Sequence, residues 1–151
     1  GAPHNGKGFA FLGSRYHLEV AGKDYYLDIL FYHYRLRRFV VFDLKTTKFK
    51  PEYAGKMNFY LTAVDELLRH PDDKPSLGII LCNSHNAVTV DYALRDMRKS
   101  MGVAEYRVTG ELPDQFHSKI PTAEDFVEGL KSRRKLTSEY PIGIQKKLSK
   151  P

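Results

Sequence analysis

"YYLDILFYHYRLRRFVVFDLKTTKFKPEYAGKMNFYL", Tyr25 to Leu61, sets two apolar, aromatic and β-branched runs beside a third segment with a different period. The first two runs read as strands, Tyr25–Tyr34 and Phe39–Thr46. In the third, Tyr53, Met57, Tyr60, Leu61, Val64, Leu67 and Leu68 recur every three or four residues and gather on one side of a helix. That helix is expected from Pro51 to Arg69. Proline suits its first turn, where no N–H is needed, and "HPDDKP" ends it. Asp28, Asp43 and Lys45 are charges inside the strand-like runs, where an unpaired charge is expensive.

Upstream, "GFAFLGSRYHLEVAGKD" predicts two further strands, Phe9–Leu12 and Arg15–Val20, with "AGKD" as the turn into the next. Downstream, "SLGIILC" reads as a short buried strand. "NAVTVDYALRDM" allows a strand passing into a short helix, and "GVAEYRV" reads as one more strand. "TAEDFVEGLKSRRKL" predicts an amphipathic helix capped by Thr122. The succession β-β-β-β-α-β-(β/α)-β-α describes an α/β sandwich with a mixed central sheet and helices on both sides.

The 151 residues suffice for one domain with a sizeable core. Gly1–Asn5 reads as an added remnant on an excised domain of something longer; residues 6–136 form the domain and 137–151 a loosely ordered basic tail. No apolar run approaches the roughly 18 to 20 residues that cross a bilayer, and the start lacks the layout of a secretion signal. A cytoplasmic protein without a membrane partner is expected. The lone Cys82, at the end of an apolar run, reads as a packing residue. The histidines lack paired zinc spacing, and no glycine-rich phosphate loop occurs.

The net charge of +6 suggests an anionic partner. From Lys131 onward the chain carries seven Lys or Arg against Glu139 alone, so the remainder is balanced. Within that remainder positive charge collects between His33 and Lys56. Arg35, Arg37, Arg38, Lys48 and Lys50 stand among aromatics there, a mixture that either tracks phosphates and stacks bases or forms solvated turns.

Side chains alternate along a strand, so Asp43 and Lys45 share a face. If the preceding strand pairs with theirs, Asp28 approaches Asp43, and two carboxylates that close repel unless a cation lies between them. Oxygen ligands favour Mg²⁺ or Mn²⁺. Such an ion polarises a phosphate oxygen and acidifies a bound water, with Lys45 orienting that water or neutralising transition-state charge. The same pattern also arises as a surface ion pair of little energetic consequence.

Asp28, then Asp43-Leu44-Lys45, then a helix with Lys56-x-x-x-Tyr60 resembles the core of the PD-(D/E)XK nuclease superfamily, whose fold is that of restriction endonucleases. "DYYLDILFYHYRLRRFVVFDLK", "FKPEYAGKMNFYLTAVDELLRHPDDKPSLGIILC", "VDYALRD" and "GVAEY" are similar to the C-terminal nuclease domain of YhcG-type proteins, over roughly Gly6 to Pro113. The resemblance implies a metal-dependent nuclease on DNA, with Asp28 and Asp43 as ligands of Mg²⁺ or Mn²⁺ and Lys45 as the catalytic lysine. It also implies a helical N-terminal domain in the parent chain. Leu27 replaces the motif's proline and the second acid is Asp rather than Glu, yet both carboxylates remain. Glu19 in "YHLEV" is the candidate for the earlier glutamate that many members use as a further metal ligand. Lys56 stands where RecB-like nucleases have glutamine, so Lys56 and Tyr60 are expected either at the DNA backbone or as a solvated lysine beside a core tyrosine. The alternative function is a catalytically inactive nucleic-acid-binding module of the same fold. RNA is a further substrate option, and cutting both strands would favour a homodimer.

Overall fold

The computed structural model describes residues 8–106 and the backbone of 142–145. A twelve-residue strand β1 (Phe9–Val20) turns through Ala21-Gly22 into β2 (Lys23–His33), which leads by a second hairpin to β3 (Arg38–Leu44). Ala21 and Gly22 have φ of 53° and 77°, the left-handed pair that joins antiparallel strands with matching twist. The two strands expected before this turn are one. Gly13 marks a register shift in the pairing with β2 and bends the strand without ending it.

After β3 the helix α1 (Pro51–Leu67) crosses to β4 (Leu77–Cys82), and α2 (Ala87–Leu94) crosses to β5 (Ser100–Tyr106). Strands β3, β4 and β5 are mutually parallel, as helical crossovers require, whereas β1–β2 and β2–β3 are antiparallel. All six residues of β4 are buried, as expected for the middle of a parallel sheet. The ambiguous "NAVTVDYALRDM" contains a helix because the Asn86 side chain accepts the Val88 and Thr89 backbone N–H groups and caps its start. Ile142–Gln145, expected in a loose basic tail, pairs antiparallel with β5 as β6, so that the described strands form a six-stranded sheet in chain order. The expected helix capped by Thr122 lies outside the described residues.

Both described helices pack on one face of the sheet. Ala54, Met57, Leu61 and Val64 of α1 and Val90 and Leu94 of α2 share a core with Leu27, Leu30, Val41, Ile80, Cys82 and Val103. Leu67, expected on that apolar side, is 52% exposed because the helix ends there. Gly78 lets α1 lie close against the sheet, for a Cβ there would stand 2.6 Å from the Met57 sulfur. On the other face Phe31, Val40, Phe42 and Ile79 are also buried. The fold is α/β with a mixed central sheet.

Candidate active site

The β2–β3 ladder ends at Ile29↔Phe42, so the next residues to face one another are Asp28 and Asp43. Regular alternation fails at this point: Leu27 and Leu30, three residues apart, both enter the helix-side core. At the same level of β1, Arg15 adopts a left-handed φ of 48°. Where the strands part, the Leu44 N–H donates to Asp28 Oδ2 at 2.7 Å, so a side chain replaces the missing ladder bond. Asp43 lies on the helix side of β3, two residues on from Val41, and is 4% exposed.

Burial pushes the Asp43 carboxyl up to about 6; a hydrogen bond with Asp28 and that residue's negative charge act in the same direction, while Lys45 and Lys56 oppose them. Lys45 Nζ is 3.6 Å from Asp43 Oδ2 and 4.8 Å from the Tyr53 ring centroid. Lys56 reaches the carboxylates from α1. A hydrogen bond with Tyr60 raises its ammonium above the usual range, and Asp43 and Asp28 add to that. Its Nζ lies 5.6 Å from the Tyr60 ring centroid. Two carboxylates and the Lys45 ammonium thus meet beside the C-terminal end of β3, within the electrostatic reach of Lys56.

This arrangement fits a hard divalent cation. Asp43 Oδ2 is buried without a hydrogen-bond partner, and the paired carboxylates supply oxygen ligands of the right kind. No group of three or more His, Cys, Asp or Glu placed to hold a metal occurs among the described residues, so water and substrate oxygens would complete the shell.

Glu19 is not brought into the site. Leu18 and Val20 pack into the helix-side core, so Glu19 points to the opposite face. It pairs with Asp24 near the hairpin tip, four residues or ~13 Å along β2 from Asp28. Arg35, Arg37 and Arg38 are likewise displaced: Arg35 and Arg37 lie in the β2–β3 turn and Arg38 opens β3, five residues or ~17 Å along the strand from Asp43. Arg38 donates from Nε to the Pro75 carbonyl at 2.9 Å, which anchors the turn. Lys48 and Lys50, which follow β3, remain at the end where Asp43 lies.

Several supporting residues went unrecognised in the sequence. Tyr53 lies under Lys45 and shares a hydrogen bond between its hydroxyl and Thr47 Oγ1. The Tyr106 hydroxyl donates to the Lys45 carbonyl from two strands away. Cys82 and Glu105 are register partners, and His85 forms an ion pair with Glu105. Burial, with Asp43 and Glu105 nearby, pushes the Cys82 thiol up to about 12, which keeps it an inert packing residue. Alternation would have placed Glu105 on the face of Val103, but only the sheet order brings that strand near β3.

An α/β domain with two carboxylates and a lysine at the end of a hairpin-fed parallel strand has the parts of a phosphodiesterase of the PD-(D/E)XK type. A family model described as the YhcG PDDEXK nuclease domain matches residues 4–121. "Putative nuclease YhcG" of Escherichia coli (strain K12) is 36% identical over 110 residues, which cover 73% of this chain and 29% of that protein. A crystal structure of a repair endonuclease from Pyrococcus abyssi aligns at 18% identity with a TM-score of 0.39, over 52% of this chain and 31% of that one, a likeness too partial to carry an argument. The chain belongs to the YhcG PDDEXK nuclease domain family and is a nuclease domain. No described helix is long and apolar enough to cross a membrane.

Proposed function

We propose that the chain hydrolyses DNA phosphodiester bonds with a divalent metal, Mg²⁺ or Mn²⁺, held by Asp28 and Asp43. The observation that carries this reading is the buried Asp43 carboxyl facing Asp28, with Lys45 Nζ 3.6 Å away. Two acids are costly to keep in contact at neutral pH, and a cation between them turns that cost into an affinity. The bound ion would supply Lewis-acid polarisation of a phosphate oxygen and a more acidic water. Lys45, held between Asp43 and the Tyr53 ring, places a positive charge where the attacked phosphate becomes more negative. Tyr60 is a core residue, 6% exposed, so the lysine beside it, Lys56, exposed on α1, is the one that contacts the phosphate backbone.

The alternative, a nucleic-acid-binding module without activity, is favoured by one observation: the described residues offer two clustered carboxylates rather than three. Incubation of end-labelled single- and double-stranded DNA, and of RNA, with Mg²⁺ or Mn²⁺ separates the readings. Cleavage is expected for the wild type and should fall about 10²-fold or more in Asp43→Ala and in Lys45→Ala, with binding retained. Binding that persists in chelator, with no substrate cut in either metal, would establish the inactive module.

A further inference from the structure

A cavity of about 540 Å³ opens beside this site, between the segment after β3 and the segment after β4. Lys48 and Lys50 stand on one wall, and Ser84, His85 and Thr89 on the other. The two walls are fastened together: Lys48 and Ser84 form a parallel bridge, and the Phe49 N–H donates to the Ser84 carbonyl at 2.8 Å. The cavity therefore has a fixed shape before any ligand arrives, which lowers the entropy lost on binding.

Its chemistry is that of an anion site with room for more than an anion. Two lysines line it, and Glu52 is the single acid among the lining residues. The His85 side chain, 8% exposed, is held in place by its ion pair with Glu105. Each wall also runs into the first turn of a helix, α1 at Pro51 and α2 at Ala87, whose dipoles favour negative charge. Asn86 already accepts the Val88 and Thr89 N–H groups, so the lysines and not the α2 backbone are the main donors. A volume within the range of about 300–1,000 Å³ typical of small-molecule sites exceeds what a lone phosphate fills. Pro51 adds an exposed apolar wall suited to a sugar or base, over a floor formed by the core residue Phe49.

The segment from Lys45 to Tyr53 belongs to both places. Lys45 lies over the Tyr53 ring, the Tyr53 hydroxyl meets Thr47, and Lys48 begins the cavity wall. We infer that the cavity receives one unpaired nucleotide of the substrate strand, its phosphate on Lys48 and Lys50, next to the bond presented to Asp43 and Lys45. This rests on the nuclease reading for its purpose but not for its measurement. A base held in a duplex cannot enter such a cavity, so the domain should prefer strands unpaired near the cut.

The test is a titration of the 151-residue chain in chelator with a deoxynucleoside 5′-monophosphate, the matching deoxynucleoside and inorganic phosphate, followed by backbone amide shifts. The monophosphate should shift amides of residues 48–50 and 84–89 and bind at least tenfold more tightly than either fragment. Lys48→Ala with Lys50→Ala should weaken it tenfold or more, and Lys48→Arg with Lys50→Arg should retain it. Unperturbed amide positions in the sheet will show that the variants are folded. Absence of shifts at the cavity, equal affinity for inorganic phosphate, or unchanged affinity in the double alanine variant would overturn the inference. Asp43→Asn should bind the nucleotide as the wild type does. Nucleotide binding without cleavage would therefore count against the nuclease reading alone, and cleavage without nucleotide binding against the cavity alone.

Discussion

Asp43 is costly where it lies, and the proposed metal site would draw on that same cost. Its carboxyl, near 6 in the folded chain against 3.8 ordinarily, holds a proton that the unfolded chain has released between those pH values. Folding therefore binds protons there, and stability in metal-free buffer should fall as pH rises from about 4 to above 6, by an amount on the order of 3 kcal/mol. Denaturant unfolding across that range checks the sign. Asp43→Asn should flatten the profile and leave the metal-free protein more stable than wild type at pH 8. Divalent-metal affinity runs the other way, since the ligand must be deprotonated, and should drop as pH falls through 6. At this scale Asp28, Asp43 and Lys45 were legible, because alternation fixes shared faces and consecutive strands commonly pair. Glu19 was not, since its face depends on Leu18 and Val20 packing inward. Arg35, Arg37 and Arg38 lie far from the acids because closeness along a hairpin becomes distance across it: a turn and the strand ends it feeds lie at opposite ends of the same ladder.

The helix α1 is placed by a small-to-large fit, Gly78 of β4 against Met57 and Leu61, and this sets where Lys56 and Tyr60 stand relative to the carboxylates. A methyl at Gly78 would meet the Met57 side chain at 2.6 to 2.7 Å inside a filled core, so Gly78→Ala should cost about 1–3 kcal/mol. Met57→Ala should cost about 2–5 kcal/mol by leaving a cavity. Because the first change needs the space that the second creates, the double variant should be less destabilised than the two costs added, with a coupling of about 0.5–3 kcal/mol in urea unfolding. Strict additivity would mean that the helix does not rest on that glycine. Among the elements, α1 and β4 were readable from period and from an unbroken apolar run. The break expected at Gly13 was a bulge, a distinction decided by pairing with β2 and not by the glycine itself. The Asn86 cap was written in "NAVTV", but a β-rich composition competed with it.

Across the whole molecule, an antiparallel hairpin delivers two acids to the edge of a parallel βαβαβ unit, and the segments leaving β3 and β4 close over the same end. That mixture of strand directions followed from the order of predicted elements. The addition of β6 did not, because four residues in a basic, apolar-poor stretch carry little strand signal until β5 offers an edge to pair with. If Asp28 and Asp43 share one divalent ion, an anomalous difference map from a crystal soaked in Mn²⁺ will locate it. One peak is expected between Asp28 and Asp43, at a coordination distance of about 2 to 2.3 Å from an oxygen of each, and it should be absent in Asp43→Asn. A wild-type map without density there, or a peak that survives the substitution, would mean that the two carboxylates do not hold the ion.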